Sequence, residues 1–335
     1  MTGEHRKYKA IKTEPSNAFI SSVDSFTSDD IKCAPDNDKL KTIKPLIIRS
    51  LVMAVSFAVF CYSIYTIGVR MADDREQDEL YSGIRPNKVE AASALSRPEE
   101  LQEPNNMYTL LEMLSSNGVY NEYKGDKVVD EKTIDDYRQA LLNVSAQNAE
   151  TLGWIVFRGT EQFTENGIDY PIMLGSNEYY LKHNYKGEAT KNGSIFASQE
   201  LDRNFEANYN MLIYGHCMKN GSMFRAIKLW YDSANKNTIA KDMQIEIYTK
   251  DGLYIYELMS AYRSDEFKFT KTSFVNNSEY KAFLDDIYRR STLNKKVKYS
   301  SDSKICTLVT CTNVSANPLE RYVVHGILTQ YIPYE

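Results

Sequence analysis

The stretch Ile305-Cys306-Thr307-Leu308-Val309-Thr310-Cys311 is apolar and β-branched, and it ends on a thiol. A second run of the same texture, Arg321-Tyr322-Val323-Val324-His325-Gly326-Ile327-Leu328, begins on an arginine. Short runs of β-branched and aromatic residues predict strands, here Lys304 to Thr310 and Arg321 to Leu328. Cys311 then sits at one strand end and Arg321 at the start of the next. A thiol becomes a useful nucleophile when its thiolate is favoured or a base lies beside it. Arginine stays charged and offers several donors for an oxyanion or a substrate carbonyl.

A candidate acid or base comes from Tyr214-Gly215-His216. Of the four histidines, His5 belongs to a polar N-terminal tail, His183 lies in a polar stretch, and His325 is inside the last predicted strand, where burial is expected. His216 follows an apolar strand and precedes the turn Lys219-Asn220-Gly221. Histidine titrates near neutrality and can give a proton to a leaving amine. Taken singly, most lone cysteines are small core residues and most strand-end arginines are solvated. Together, Cys311, His216 and Arg321 at strand ends describe barrel-rim residues suited to acyl transfer through a thioester.

Outward from this core the chain is β-rich. Trp154 to Phe157, Ile168 to Met173, Ser194 to Phe196, Met211 to Tyr214, Ile245 to Tyr248 and Tyr254 to Leu258 are short runs bounded by Gly, Asn or Asp. Asp251-Gly252 between the last two is a hairpin signal. Three helices are predicted: from Asn105 or Asn106 through Leu114, from Thr133 to Ser145 behind Asp130, and from Ser278 to Arg290, with Ser278 as N-cap and Tyr280, Phe283, Leu284 and Ile287 on one face. The fold class is mainly β: a closed barrel with N-terminal helices and one late inserted helix.

Ser50 to Val69 is twenty residues without a charge, bracketed by Arg49 and Arg70. A helix of that length spans about 30 Å, the thickness of a bilayer core. Lys39, Lys41, Lys44 and Arg49 precede it, while Asp73, Asp74, Glu76, Asp78 and Glu79 follow. The positive flank stays in the cytoplasm. The expected organisation is a cytoplasmic tail (1–49), a signal-anchor helix (50–69), an extracellular stalk (70–103) and a catalytic domain (104–335), so the protein is a single-pass protein of the cell membrane. Residues 1–49 carry nine Lys/Arg against seven Asp/Glu, and the whole chain has a net charge of −5. No basic stripe suggests nucleic acid.

Three of the five cysteines, Cys217, Cys306 and Cys311, follow the apolar run. That odd number leaves at least one external thiol unpaired. The odd offset from Cys306 to Cys311 puts them on opposite strand faces, so Cys306 reads as core. An extended segment at His216 would point Cys217 away from His216 and Cys311.

With these residues in view, the chain resembles the class B sortases, membrane-anchored cysteine transpeptidases of Gram-positive bacteria. The motifs that carry the resemblance are Asn148-Ala149-Glu150 with Gly153-Trp154-Ile155, Ile168-Asp169-Tyr170-Pro171-Ile172, and Asn177 with Tyr180-Leu181. They continue with Gly193-Ser194-Ile195-Phe196, Tyr214-Gly215-His216, Gly221-Ser222-Met223-Phe224, Thr307 to Cys311 and Arg321-Tyr322-Val323-Val324. The resemblance implies a sortase-like closed barrel of about eight strands, with the Ser278–Arg290 helix between strands six and seven. It implies cleavage of a C-terminal sorting signal by Cys311, with His216 protonating the departing amine and Arg321, assisted by Thr310, holding the substrate backbone and oxyanion. By the same analogy Asn177, Leu181 and Phe269 line the peptide groove, and Val309 and Thr312 lie near the bound signal. The implied partners are secreted proteins bearing a sorting signal and an amine of a peptidoglycan precursor or a pilin lysine, with no cofactor or metal. Many class B members have serine where this chain has Val309, and an acidic residue where it has Thr312. Losing that hydroxyl and carboxylate changes which groups the groove can satisfy by hydrogen bonding, which points away from the usual class B signal.

Overall fold

Strand β7 (Ile305–Cys311) is the centre of the architecture, paired with β4 (Asn210–Tyr214) on one side and β8 (Arg321–Pro333) on the other. In this computed structural model, which describes residues 37–86, 129–314 and 316–334, eight strands close into one barrel in the order β1-β2-β3-β4-β7-β8-β6-β5. The others are β1 (Thr151–Arg158), β2 (Ile168–Met173), β3 (Ile195–Ala197), β5 (Gln244–Tyr248) and β6 (Gly252–Ser264). Pairing is antiparallel except for β2–β3 and β4–β7, which are parallel and need long crossovers. Every predicted strand is present. β6 and β8 run further than predicted, because their antiparallel ladder reaches from Gly252↔Pro333 to Ser264↔Arg321.

The strands are buried on both faces where helices cover the barrel. Helix α2 (Glu131–Gln147) starts at Asp130, whose carboxylate accepts from the Thr133 amide at 2.9 Å. Its Tyr137 ring stacks on Tyr248 of β5 at 4.5 Å. The same Tyr137 hydroxyl donates to Asp169, which also accepts from the Trp154 indole at 2.7 Å. The Gly-Trp-Ile and Ile-Asp-Tyr-Pro motifs are therefore one buried hydrogen-bonded unit joining β1, β2 and α2. The β5–β6 turn needs its glycine: a Cβ on Gly252 would lie 2.5 Å from the Ile332 carbonyl.

A short helix α3 (Arg225–Tyr231) follows β4, and the inserted helix α4 (Asn277–Arg289) lies between β6 and β7, as predicted. Its N-cap is Asn276, not Ser278. The Asn276 side chain accepts from the Glu279 amide at 2.9 Å, while Glu279 reaches back to the Val275 amide at 2.6 Å. This reciprocal pair satisfies two amides, which a cap at Ser278 could not arrange with Glu279 at its next position.

The chain divides into two compact units, 1–65 and 66–335. Helix α1 (Asn37–Ser82) contains the apolar run, long and apolar enough to cross a membrane, with Leu51, Phe57 and Tyr65 exposed. The helix continues beyond Val69 through the charged residues to Ser82. There it packs on the domain and does not stand clear of it. Tyr81 is buried against Tyr170 and Tyr185, Gln77 accepts from Asn184 at 3.3 Å, and Arg85 donates to the Asp169 carbonyl at 2.9 Å. The predicted helix at Asn105–Leu114, the tail up to residue 36 and the second half of the predicted stalk (87–103) lie outside the described residues.

Candidate active site

Three adjacent strands deliver the three rim residues. Cys311 ends β7 and pairs directly with Arg321, the first residue of β8. Directly opposed residues on an antiparallel pair share a face. On the other side of β7, β4 runs parallel in register through Tyr214↔Val309, and the Gly215 amide donates to the Val309 carbonyl at 3.2 Å. His216 is the next residue and arrives level with Cys311. Gly215 is required here, because a Cβ would lie 2.5 Å from Ile195 and 2.8 Å from Phe224.

His216 is held at both ends. Its carbonyl accepts from the Phe224 amide at 2.8 Å, and the Met223 amide donates to the Tyr170 hydroxyl at 3.1 Å. Met223 takes φ 57°, the left-handed conformation that closes this loop. On the ring, Nε2 lies 2.8 Å from the Leu181 carbonyl. A carbonyl only accepts, so Nε2 carries a proton in either charge state. Nδ1 is then the position whose proton can be exchanged with a reactant.

Arg321 is steadied without being neutralised. Its Nη1 donates to the Pro318 carbonyl at 2.8 Å and the Glu320 carbonyl at 3.0 Å, and its guanidinium lies 5.6 Å from the Phe267 ring centre. The neighbouring carboxylate of Glu320 is engaged by Arg263. The Nε and Nη2 protons of Arg321 take no part in these bonds.

Two openings flank this rim. One, of about 400 Å³, lies between the turn Phe267–Thr270 and α4 and is lined by Phe267, Lys268, Lys271 and Phe283. The other, of about 550 Å³, holds Cys311 together with Cys217, Asn313 and Pro318, and on α1 Arg70 and Asp73.

The second opening corrects the reading of Cys217. The chain leaves strand geometry after Tyr214, and Cys217 bridges back to Met223 while its carbonyl accepts from Asn313 at 2.7 Å. With alternation lost, Cys217 lines the same cavity as Cys311. Its thiol is buried, which pushes its pKa up, although the Arg225 guanidinium 3.7 Å away opposes this. Cys306 is wholly buried, as expected, and burial raises its pKa too.

Several predicted groove residues lie elsewhere. Phe269 is buried at 2% exposure, and Phe267, two residues earlier, takes the exposed place at 45%. Thr310 pairs with Tyr322 and, one residue before Cys311, faces the opposite side of β7. Its buried hydroxyl has no hydrogen-bond partner among the described residues, and from that side of the strand it cannot assist an oxyanion at Cys311. Thr312 is buried and closes the turn into β8, its amide donating to Glu320 and its hydroxyl accepting from Val314. Val309 is buried at 3% beneath the rim, on the same face as Cys311. Asn177 exchanges hydrogen bonds with Gln199. Leu181 exposes its side chain, and its carbonyl meets His216. That carbonyl carried no sequence signal, since a main-chain acceptor has no residue type. Phe267 carried none either, since it shares its residue type and its parity with Phe269 and only the turn Phe267–Thr270 separates them.

Known proteins are similar to this chain. A family model described as "Sortase domain" matches residues 165–329. Sortase B of Listeria monocytogenes is 30% identical over 197 residues, covering 58% of this chain and 75% of that protein. Sortase B of Staphylococcus aureus is 30% identical over 181 residues, covering 53% and 69%. Among solved structures, sortase B from B. anthracis in complex with AAEK1 aligns with a TM-score of 0.50 at 28% identity, covering 67% of this chain and 98% of that one. A Staphylococcus aureus sortase B–substrate complex aligns at 0.53 and 22% identity, covering 77% and 99%, which shows the shared barrel. The fold and the relatives are those of a cysteine transpeptidase. Within that class, the chain belongs to the class B sortases.

Proposed function

We propose that the protein is a membrane-tethered transpeptidase that cleaves a C-terminal sorting signal on secreted proteins and joins them to an amine of the cell envelope. The observation that carries this reading is the convergence of Cys311, Arg321 and His216 on one rim through the β4–β7–β8 pairing. The Cys311 thiolate attacks the threonine carbonyl carbon of the signal. Charge collects on the carbonyl oxygen, where the Nε and Nη2 protons of Arg321 stabilise it. Collapse of this intermediate breaks the peptide bond, and His216 gives its Nδ1 proton to the departing amine. A thioester at Cys311 remains. An incoming amine attacks it, His216 takes back a proton, and the thiolate leaves.

The signal lies on the Phe267–Phe283 side, with α4 as one wall. The apolar run of α1 anchors the chain, with the N-terminus in the cytoplasm and the barrel outside. The acceptor is a peptidoglycan precursor or a pilin lysine. Purified enzyme mixed with a sorting-signal peptide and a peptide amine should yield the joined product by mass spectrometry. Cleavage with only the hydrolysed acid formed would make the enzyme a peptidase.

A further inference from the structure

The cavity at the rim holds two thiols. Cys311 and Cys217 both line it, and both are free. Cys306 is wholly buried and lines neither opening. The backbone brings the two rim thiols within bonding reach. β4 and β7 run parallel with Tyr214 level with Val309. Counting on, His216 is level with Cys311, and Cys217 stands one residue further. Two hydrogen bonds keep this segment against β7 after the regular ladder ends. The Gly215 amide donates to the Val309 carbonyl at 3.2 Å, and the Asn313 side chain donates to the Cys217 carbonyl at 2.7 Å. Neighbouring strands lie about 4.8 Å apart and a residue advances about 3.3 Å, which gives a diagonal of about 6 Å between the two Cα atoms. Disulfides take Cα separations of about 4.4–6.8 Å.

The two thiols differ as a peroxide-reactive pair requires. Cys311 is partly exposed, and the proposed transpeptidation uses it as the nucleophile. Cys217 is 6% exposed, burial keeps its thiol protonated, and the Arg225 guanidinium lies 3.7 Å from its sulfur. A small hydroperoxide therefore meets Cys311 first. The buried thiol is spared and stays available to react with what forms there, and the cation beside it stabilises charge on its sulfur when it does.

We infer that Cys217 and Cys311 form an oxidation site in which Cys217 resolves the oxidised nucleophile, so that hydroperoxides switch the enzyme off reversibly. The inference goes beyond the transpeptidase reading and takes from it only that Cys311 is the nucleophile. The Cys311 thiolate attacks one oxygen of the hydroperoxide, the O–O bond breaks, and the departing oxyanion takes up a proton. Cys311 is then a sulfenic acid. The Cys217 sulfur attacks the Cys311 sulfur, the S–O bond breaks, and hydroxide leaves as water with the Cys217 proton. Two thiols have lost two electrons to one peroxide bond. The disulfide covers the nucleophile and blocks its further oxidation to sulfinic and sulfonic acids, which thiols do not reverse. A dithiol reductant exchanges with the disulfide and releases both cysteines.

The test treats the full chain in detergent micelles with hydrogen peroxide, and then treats half of the sample with dithiothreitol. Remaining thiols are alkylated before tryptic digestion and mass spectrometry. In the wild type, peptides 204–219 and 305–321 should appear joined by a disulfide, with fragment ions assigning the bond to Cys311 and not to Cys306. Product formation should fall by about tenfold or more with peroxide, because the thiolate is the nucleophile. It should return to within about twofold of the untreated rate after dithiothreitol. Cys217→Ser, scored against its own untreated activity, should recover about fivefold less, with sulfinic or sulfonic acid at Cys311. Wild-type Cys311 reaching those acids while Cys217 remains open to alkylation overturns the inference, and this arm needs no variant to fold. Equal recovery of wild type and Cys217→Ser overturns it as well. Absence of product from the untreated enzyme removes the transpeptidase reading alone, because the joined peptides still decide the pair.

Discussion

His216 and His325 are two histidines in one barrel with opposite fates. His325 sits inside it, fully buried on β8, and burial pushes its pKa down to about 3. Its partners define a neutral tautomer. Thr307 donates to Asn210 at 2.6 Å, so its oxygen accepts from Nδ1 of His325 at 2.8 Å, and Nε2 accepts from Tyr262 at 2.9 Å. Asn210 carries the chain on to the Lys271 carbonyl at 3.0 Å. His216, at the rim, is half-buried, and only Nε2 is committed to a protein acceptor. The interior satisfies every polar atom of its histidine and immobilises its proton. The rim engages one nitrogen and leaves the other for the proton exchange proposed above.

The sharpest break in this contrast comes from the rim. Cys311→Ala should lower product formation on the order of 10⁴-fold or more with an unchanged melting temperature, measured by mass spectrometry and thermal unfolding; turnover near wild type would sink the assignment. Arg321→Lys removes the planar fork that spans the 318–320 carbonyls and the oxyanion, so a loss of about 10²–10³-fold is expected in kcat/KM. His216→Asn should cost about 10²–10⁴-fold in rate and little stability. His325→Asn should do the reverse, costing about 1–3 kcal/mol by leaving Tyr262 or Thr307 unpaired, with activity per folded molecule retained.

His325 also gives a pH test. Folded, it stays neutral down to about pH 3; unfolded, it protonates near pH 6.5. Between those values the unfolded state binds the extra proton. Its contribution to stability is complete above about pH 6.5 and declines on acidification towards pH 3, by up to about 1.4 kcal/mol per pH unit. Denaturant midpoints for wild type and His325→Asn should therefore converge as pH falls from 7 to 4. Parallel curves would show that His325 is not buried neutral. The smallest effect expected is that of Val309→Ser. This residue is buried beneath the rim, so a change below about tenfold in preference among signal peptides is predicted, together with a stability loss of about 1–2 kcal/mol from the buried hydroxyl.

Much of this was readable in one dimension. Strand alternation and turn residues placed all eight strands, because each is short, β-branched and bounded by residues that end strands. The rim triad was legible because cysteine, histidine and arginine each stood at the border of such a run. What could not be read were relations that depend on where the chain departs from regular geometry. Cys217 was misplaced because alternation holds only in a strand, and the chain leaves its strand after Tyr214. Phe267 and Phe269 share a residue type and a parity, so only the turn decides which is exposed. Thr310 and Thr312 looked like neighbours of a nucleophile, yet one faces the far side of β7 and the other closes a turn.

The sequence by itself determined the barrel, the membrane-length helix and the chemical identity of Cys311, His216 and Arg321. Periodicity and residue chemistry are local properties, written along the chain. Only the tertiary structure decided which histidine is buried and which stands at the rim, which carbonyl holds the rim ring, and that the outer turns of α1 wall the cavity beside Cys311. Those follow from packing between segments far apart in sequence, where burial and hydrogen bonding are set by neighbours that no local pattern names.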